Sequence, residues 1–369
     1  MWRVGKLLQK VGLGIGKLLA LPIALVYGVV ITVRNWLYDR KWLPIHRLPC
    51  QVVSIGNLTL GGSGKTPFAL YLLDWLRGKG VAVAYLSRGY GRQTRGYVEV
   101  SLDKAQPAVL FGDEACLIKV RLPEIPVAVC ENRYEGGQKL LQTYPHLQIL
   151  VLDDAFQHRK LHRDIDILLV DAAKPPWKDW LFPLGRLREP LRSYRRAHFI
   201  VLNKKENPKS PPKRLAKASL TFEYVPEGLI PAFSGLQPLP LSALTGQSVL
   251  AFCGIATPKS FFALLKSQGA YLPETHTFPD HAYFSETKAA WLAQRYKRLM
   301  RKFKLSHLLM VTTEKDIMRL YKTPALAALE GLPLYALRIS MRPVDPEKAA
   351  GFLSKLFAPL LHYDHARSL

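Results

Sequence analysis

Cysteine is scarce in this 369-residue chain, and its four examples, Cys50, Cys116, Cys130 and Cys253, form no C-x-x-C pair. That spacing argues against a disulfide framework and a cysteine zinc site, and it suits a reducing compartment. Acidic residues are short as well, 28 against 52 Lys and Arg, which leaves a formal charge of +24. A surplus of that size draws a protein toward polyanions: nucleic acid, anionic lipid or phosphorylated substrates. The sequence carries no RNP, zinc-finger or helix-turn-helix signature, so no nucleic-acid partner is expected. It also lacks internal repeats and low-complexity tracts. A hydrophobic content of 49% supports a large core, and the length suggests two domains.

Charge is absent from Leu18 to Val33, while Arg3, Lys6 and Lys10 precede this run and Arg34, Arg40 and Lys41 follow it, with Trp2, Trp36 and Trp42 nearby. Sixteen uncharged residues fall short of the ~20 that a spanning helix needs. Basic and aromatic flanks favour a segment lying in or dipping into the interface of an anionic membrane. A cleaved signal peptide would need a small-residue cleavage site, and none is convincing before Leu37. A buried core helix is the remaining reading of so short a run.

Downstream, apolar β-branched runs alternate with helical stretches. Strands are expected at 51–55, 81–87, 126–130, 147–153, 165–171, 198–203, 248–254, 307–313 and 333–339. Continuous apolar strands separated by helices predict an α/β fold with a mostly parallel sheet covered on both faces. Proline-rich breaks at 207–213 and 236–241 flank a weakly patterned stretch. They divide the chain into an N-terminal apolar segment (1–40), a core (41–206), a linker (207–245) and a smaller C-terminal α/β domain (246–369).

The sequence SIGNLTLGGSGKTP (54–67) carries the chemistry. A phosphate-binding loop is written G-x-x-x-x-G-K-[ST], and Thr59 stands where its first glycine belongs. The context is otherwise right, a strand before and a helix after with Pro67 in its first turn. Residues Thr59, Leu60, Gly61, Gly62, Ser63, Gly64, Lys65 and Thr66 would wrap phosphates with backbone N–H groups at the positive end of a helix. Lys65 can reach the β and γ phosphates of ATP, and the Thr66 hydroxyl can ligate Mg²⁺. A β-branched Thr59 resists positive φ, so Gly56 or Gly61 is expected to supply that freedom. Asp153 and Asp154 end the apolar run LQILVLD, where α/β ligand crevices form, and are candidate magnesium ligands. Asp113 and Glu114 after Gly112 have the pattern of a helix start, and His281 sits beside Asp280 in its own loop.

These pieces, taken in order, resemble the tetraacyldisaccharide 4′-kinases of lipid A biosynthesis. The resemblance rests on SIGNLTLGGSGKTP (54–67), SRGYGR (87–92), GDE (112–114), DDAFQHR (153–159), PLGRLREPLRS (183–193), CGIATPKSFF (253–262), FPDHAYFS (278–285) and TTEKD (312–316). In that family the unusual loop entry is normal, so Thr59 supports the match. Departures are modest: Ala155 stands where Gly is usual, Arg186 where Pro is common, and Ala282 follows His281 where a second histidine is frequent. The resemblance implies a P-loop kinase core and a smaller C-terminal α/β domain, joined by a short β-stranded linker. It implies peripheral or monotopic attachment to the cytoplasmic face of a Gram-negative inner membrane, and no obligate protein partner is evident. ATP and Mg²⁺ would be the cofactors and a lipid A disaccharide 1-phosphate the acceptor. By the same resemblance Asp113 is the general base, His281 its partner from the second domain, and Lys65 the phosphate neutraliser. Arg88, Arg92, Arg133, His158 and Arg188 are candidate phosphate or headgroup contacts. A membrane-associated P-loop ATPase or GTPase switch is the alternative; it would have no need of a proton-accepting Asp113.

Overall fold

The computed structural model describes residues 2–204 and 219–361, with side chains described for 20–203 and 219–359. The proline-rich break at 207–213 lies outside the described residues. In chain order the elements are α1 (Trp2–Asp39), β1 (Gln51–Gly56), α2 (Lys65–Gly78), β2 (Val83–Ser87), β3 (Val98–Glu99), α3 (Pro107–Phe111), α4 (Asp113–Arg121), β4 (Val127–Val129), α5 (Arg133–Thr143), β5 (Ile149–Asp153) and β6 (Ile165–Asp171). The series continues with β7 (Phe199–Lys204), β8 (Ser219–Pro231), β9 (Ser248–Cys253), α6 (Pro258–Ser267), β10 (Tyr271–Thr277), α7 (Glu286–Lys302), β11 (Leu309–Thr313), α8 (Glu314–Leu320), α9 (Pro324–Ala327), β12 (Leu334–Pro343) and α10 (Pro346–Leu361).

All nine apolar runs form strands, in one 12-stranded sheet of order β10-β9-β11-β12-β8-β7-β6-β1-β5-β2-β4-β3. Strands β4, β2, β5, β1, β6, β7 and β8 run parallel, with β3 antiparallel at the edge. Strands β12, β11, β9 and β10 form a second parallel block, antiparallel to β8 through the β12–β8 pair. Both faces are covered, which is why these strands read as unbroken hydrophobic runs. Helix α2 supplies Phe68, Leu72, Leu73 and Leu76, all fully buried, to the larger core, and Phe68 meets Phe222 of β8 edge-on at 5.2 Å. Truncating a buried Phe of this kind costs ~3–5 kcal/mol.

Strand β8 decides how the two blocks meet. Its first residues, Ser219–Glu223, pair with β7, while Phe222 to Pro231 pair with β12. It therefore overshoots the carboxyl edge of the first block by eight residues, Tyr224 to Pro231. Strand β12 returns alongside it, and β11 ends with Thr313 opposite Leu337, which lies opposite Leu229. The carboxyl edges of the two blocks thus face each other about six residues apart along β8, roughly 20 Å at ~3.3 Å per residue. Ligand crevices of open α/β sheets form beyond carboxyl edges, and here two such edges enclose one space.

Candidate functional site

The glycine-rich loop leaves β1 and enters α2, whose N-cap Gly64 has φ 87°. Thr59 does not take a positive φ. It forms an antiparallel bridge with Leu187, flanked by Leu60 N–H to Arg186 O and Arg188 N–H to Leu58 O, both 2.8 Å. An extended, strand-paired entry suits a β-branched residue, which is the physical reason Thr replaces the first glycine. The left-handed step falls instead at Gly61, φ 102°. Gly56 serves close approach: a Cβ there would lie 2.5 Å from that of Phe156.

Lys65 and Thr66, the first helical residues, point at the acids. Lys65 Nζ stands 3.5 Å from Asp154, and Thr66 Oγ1 donates to Glu114 at 3.3 Å. The two aspartates differ. Asp154, at φ 46°, accepts from Arg188 Nη1 with both oxygens at 2.9 Å, and Lys65 and Arg188 offset its burial and keep its pKa low. Asp153 is buried, and its Oδ1 has no partner. Burial first, then the charges of Glu114 and Asp154, push its carboxyl up to about 7. Orphaned carboxylate oxygen, crowded like charges and the Thr66 hydroxyl make a setting that a divalent cation would relieve. Among the described residues no preformed group of three or more acid, His or Cys ligands occurs. Mg²⁺ does not need one, because it is commonly held by one or two carboxylates, water and substrate phosphates. The donor set fits it.

Glu114 had no role from sequence alone. It opens α4 next to Asp113, and Lys315 of α8 reaches its Oε1 at 2.5 Å. Asp113 is buried as well. Its Oδ1 accepts from the Glu114 N–H at 2.9 Å, and its Oδ2 receives Arg319 Nε at 2.7 Å, Arg319 Nη2, and His281 Nδ1 at 3.3 Å. Burial works against ionisation of Asp113, yet the His281 hydrogen bond and the charges of Arg319 and Lys315 outweigh it and hold its pKa well below the usual carboxylate range. The hydrogen bond to Asp113 in turn raises the pKa of His281, against the desolvation that would lower it.

Arg319 is the hub that sequence reading missed. It also donates to Gly254 O at 2.6 Å and Asp316 at 2.9 Å. Asp316, fully buried, accepts from Thr313 Oγ1 at 2.6 Å, Thr312 Oγ1 at 3.2 Å and the Gly254 N–H at 3.1 Å. The TTEKD stretch (312–316) therefore builds a rigid socket for Arg319, three residues on. At the other end of α4, Arg121 pairs with Glu314 at 3.0 Å, so α4 is fastened to α8 at both termini.

A cleft of about 510 Å³ opens on the other side of Asp154, lined by residues that include Tyr27, Ile31 and Arg34 of α1 with Arg88, Arg133, His158 and Arg188. Helix α1 docks there through Tyr27 Oη to Arg188 O at 2.7 Å, Arg34 to Gln157 O at 2.5 Å and Asn35 to Glu189 at 3.1 Å. Burial, helped by Arg133, Arg163, Lys160 and Arg34, pushes His158 down to about 4, so its imidazole is neutral, and its Nε2 is buried without a partner. Arg92 belongs elsewhere: its side chain is 2% exposed and committed to Gly96 O and Glu131. Arg133 lines the cleft while bonding the Asp153 carbonyl at 3.2 Å. All four cysteines are free and buried. The outward face of α1 exposes Val26 (65%) and Val29 (62%), among others, so the buried-core reading of this segment does not hold for that face. Its Ala20–Asp39 stretch is long and apolar enough to cross a membrane by length and composition.

Comparison with known proteins gives one consistent result. The family described as tetraacyldisaccharide-1-P 4′-kinase matches residues 16–358. A tetraacyldisaccharide 4′-kinase of Chlorobaculum tepidum is 38% identical over 317 residues, covering 84% of this chain and 88% of that one. Another, from Aquifex aeolicus, is 40% identical over 269 residues, 72% of this chain and 82% of the relative. The crystal structure of the "apo" form of LpxK from Aquifex aeolicus in complex with ATP superposes with a TM-score of 0.71 at 33% identity, covering 93% of this chain and 98% of that one.

Proposed function

The chain belongs to the tetraacyldisaccharide-1-P 4′-kinase family, and from that premise we propose how its residues divide the work of phosphoryl transfer. It is a kinase of lipid A biosynthesis, moving the γ-phosphoryl group of ATP to the 4′-hydroxyl of a tetraacyldisaccharide 1-phosphate to give lipid IV-A. The observation that carries the assignment of roles is the convergence of Lys65 and Thr66 with Asp113 and His281. The first three come from the N-terminal half of the chain and His281 from the C-terminal half, and they meet where the two carboxyl edges enclose one space.

The loop from Thr59 to Thr66 holds the ATP phosphates on backbone N–H groups, and Lys65 neutralises charge developing at the β–γ bridge. Thr66, Glu114 and Asp153 would hold Mg²⁺, which would supply charge neutralisation to the phosphates when bound. Asp154, already paired with Arg188 and Lys65, orients Lys65 and supports the metal site from its rim. Asp113 accepts the proton of the attacking hydroxyl. Arg319 and His281 keep it ionised and fixed, both donating to its Oδ2. Residues 246–369 supply His281, Lys315 and Arg319, so they complete a site whose phosphate cradle lies in residues 41–206.

Arg88, Arg133, Arg188 and the neutral His158 face the cleft beside α1, where they meet the acceptor's anionic headgroup. The apolar outer face of α1 rests in the cytoplasmic leaflet of the inner membrane, with the anionic surface holding the basic flanks. The acceptor's acyl chains then stay in lipid, avoiding ~0.8 kcal/mol per CH₂ of extraction. The test is label transfer from γ-labelled ATP to the tetraacyldisaccharide 1-phosphate in detergent micelles, with Mg²⁺ varied. Transfer that saturates with Mg²⁺ in the wild type, and needs more of it in Glu114→Gln and Asp153→Asn, supports these roles. Unchanged Mg²⁺ dependence in both variants would remove them from the metal site.

A further inference from the structure

The segment between β6 and β7 does more than pair with the loop entry. Its tip, from Lys178 to Arg186, carries Trp180 at 70% and Phe182 at 46% exposure, beside the exposed Lys174 and Lys178. Exposure of this kind at a frayed tip would mean little, but this tip is built. Asp179 Oδ1 accepts the N–H groups of Trp180 at 2.9 Å and Arg186 at 3.0 Å, and its Oδ2 holds Arg186 Nε at 2.7 Å. Leu187 N–H donates to Trp180 O and Phe182 N–H to Leu187 O, both at 2.9 Å. Arg186, where the family commonly has proline, is thus spent on fixing the loop.

The position of the tip is the second observation. Phe182 meets Tyr27 of α1 edge-on at 6.1 Å, and Leu181 packs so tightly on Gly28 that a Cβ there would lie 2.9 Å from it. Tyr27 and Gly28 sit inside the uncharged run from Leu18 to Val33, with exposed Leu21, Ile23 and Leu25 before them and Val29, Val30 and Val33 after. A lipid surface that covers those helix residues meets the loop at the same depth. An indole with its polar N–H edge, flanked by lysines and beside an apolar ring, favours the headgroup boundary.

We propose that the Lys178–Arg186 loop is a second membrane-contacting element, with Trp180 and Phe182 entering the interface of an anionic bilayer beside α1. The proposal rests on the membrane reading of α1 and adds to it. A single helix lying in an interface can roll about its axis; a second contact to one side fixes the roll, and with it the direction in which the cleft opens. The loop reaches that cleft through the bridged segment at Leu187 that leads into Arg188, so lipid contact and headgroup binding share one segment.

The experiment uses the full chain and vesicles of phosphatidylcholine with about one third phosphatidylglycerol. Wild type, Trp180→Ser/Phe182→Ser, and Val26→Ser/Val29→Ser are compared by co-sedimentation, with kinase activity in detergent micelles measured in parallel. The loop variant is expected to bind vesicles about tenfold more weakly, which is ~1.4 kcal/mol, with micellar activity within about twofold of wild type. Equal sedimentation of wild type and loop variant overturns the loop proposal while leaving α1 as anchor. Wild type that fails to sediment, or an α1 variant bound as well as wild type, overturns the α1 reading instead. Reduced micellar activity with unchanged sedimentation assigns the rings to the acceptor's acyl chains and also overturns the proposal. Should the double variant misfold, Trp180→Phe replaces it. Quenching by lipids brominated near the headgroup should then lose the contribution of Trp180, and an unchanged quenching profile refutes the contact.

Discussion

Replacing Arg319 by methionine is the substitution on which the geometry speaks most clearly. The guanidinium is 2% exposed and lies between two carboxylates, Asp113 at 5% and Asp316 at 0%. Removing one member of a buried ion pair while leaving its partner costs ~3–5 kcal/mol, and here two partners are stranded. The thermal midpoint should fall by roughly 6–10 °C, taking ~2 °C per kcal/mol for a chain of this size. Arg77→Met, which breaks exposed contacts with Asp74 and Glu124, should leave the midpoint where it is.

Arg319→Met should also move the pH profile. Asp113 has a depressed folded pKa, so it contributes stability that is present above its unfolded value near 3.9 and lost as pH falls below it. His281 has a raised pKa, so its contribution is complete below about 6.5 and is lost as pH rises through the folded value. Because the positive charge of Arg319 lowers the pKa of His281, removing it moves the acidic limb of kcat/KM to higher pH. A residue that merely filled space would lower activity without moving that limb. A midpoint shift under about 2 °C together with an unmoved limb would mean that Arg319 does not clamp the two carboxylates.

Four further outcomes can be checked independently. Asp113→Asn should lower kcat by ~10²–10⁴ while leaving ATP affinity within a few-fold, as measured by steady-state kinetics and nucleotide titration. Without Mg²⁺, Asp153 keeps its proton up to about pH 7 in the folded protein but only to about 3.9 when unfolded, so stability falls as pH rises through that window. The rise in melting temperature on adding Mg²⁺ should therefore grow from pH 5 to pH 8, and a pH-independent rise contradicts the metal site. Thr59→Gly, which restores the usual P-loop consensus, should cost ~0.5–1 kcal/mol in thermal unfolding and bring no gain in ATP affinity. Val26→Asp/Val29→Asp should release the chain from membranes in a flotation assay while leaving its micellar activity largely intact.

The strands were legible where they are buried on both faces, because such strands are short apolar runs bounded by turn residues, unlike the longer run of α1. Strand β10, YLPETHT, was not: it is an edge strand with Pro273 inside it, three of its seven residues exposed and none fully buried. Strand β8 was hidden for a related reason, since beyond β7 it forms the two-stranded bridge to the second block, with Pro226 and Gly228 at a break in its register. The phosphate loop and the Asp113–His281 pairing were legible through their motifs and the family resemblance. Glu114 and Lys315 fall inside the GDE and TTEKD motifs without a role legible there, and Arg319 lies outside every motif. Their partners lie about two hundred residues away, and no local pattern encodes a contact made by two facing sheet edges. The role of Thr59 needed the structure too, because its partner Leu187 belongs to another segment.

Asp113 accepts the hydroxyl proton and His281 holds it in place, so the two act as one unit. A double-mutant cycle on the single-turnover rate of phosphoryl transfer tests it, using Asp113→Asn, His281→Ala and both together at saturating ATP and Mg²⁺. The double variant is expected to be no slower than Asp113→Asn alone, within about threefold, because the second loss has nothing left to remove. Rate losses that multiply would contradict it and make the two residues independent contributors.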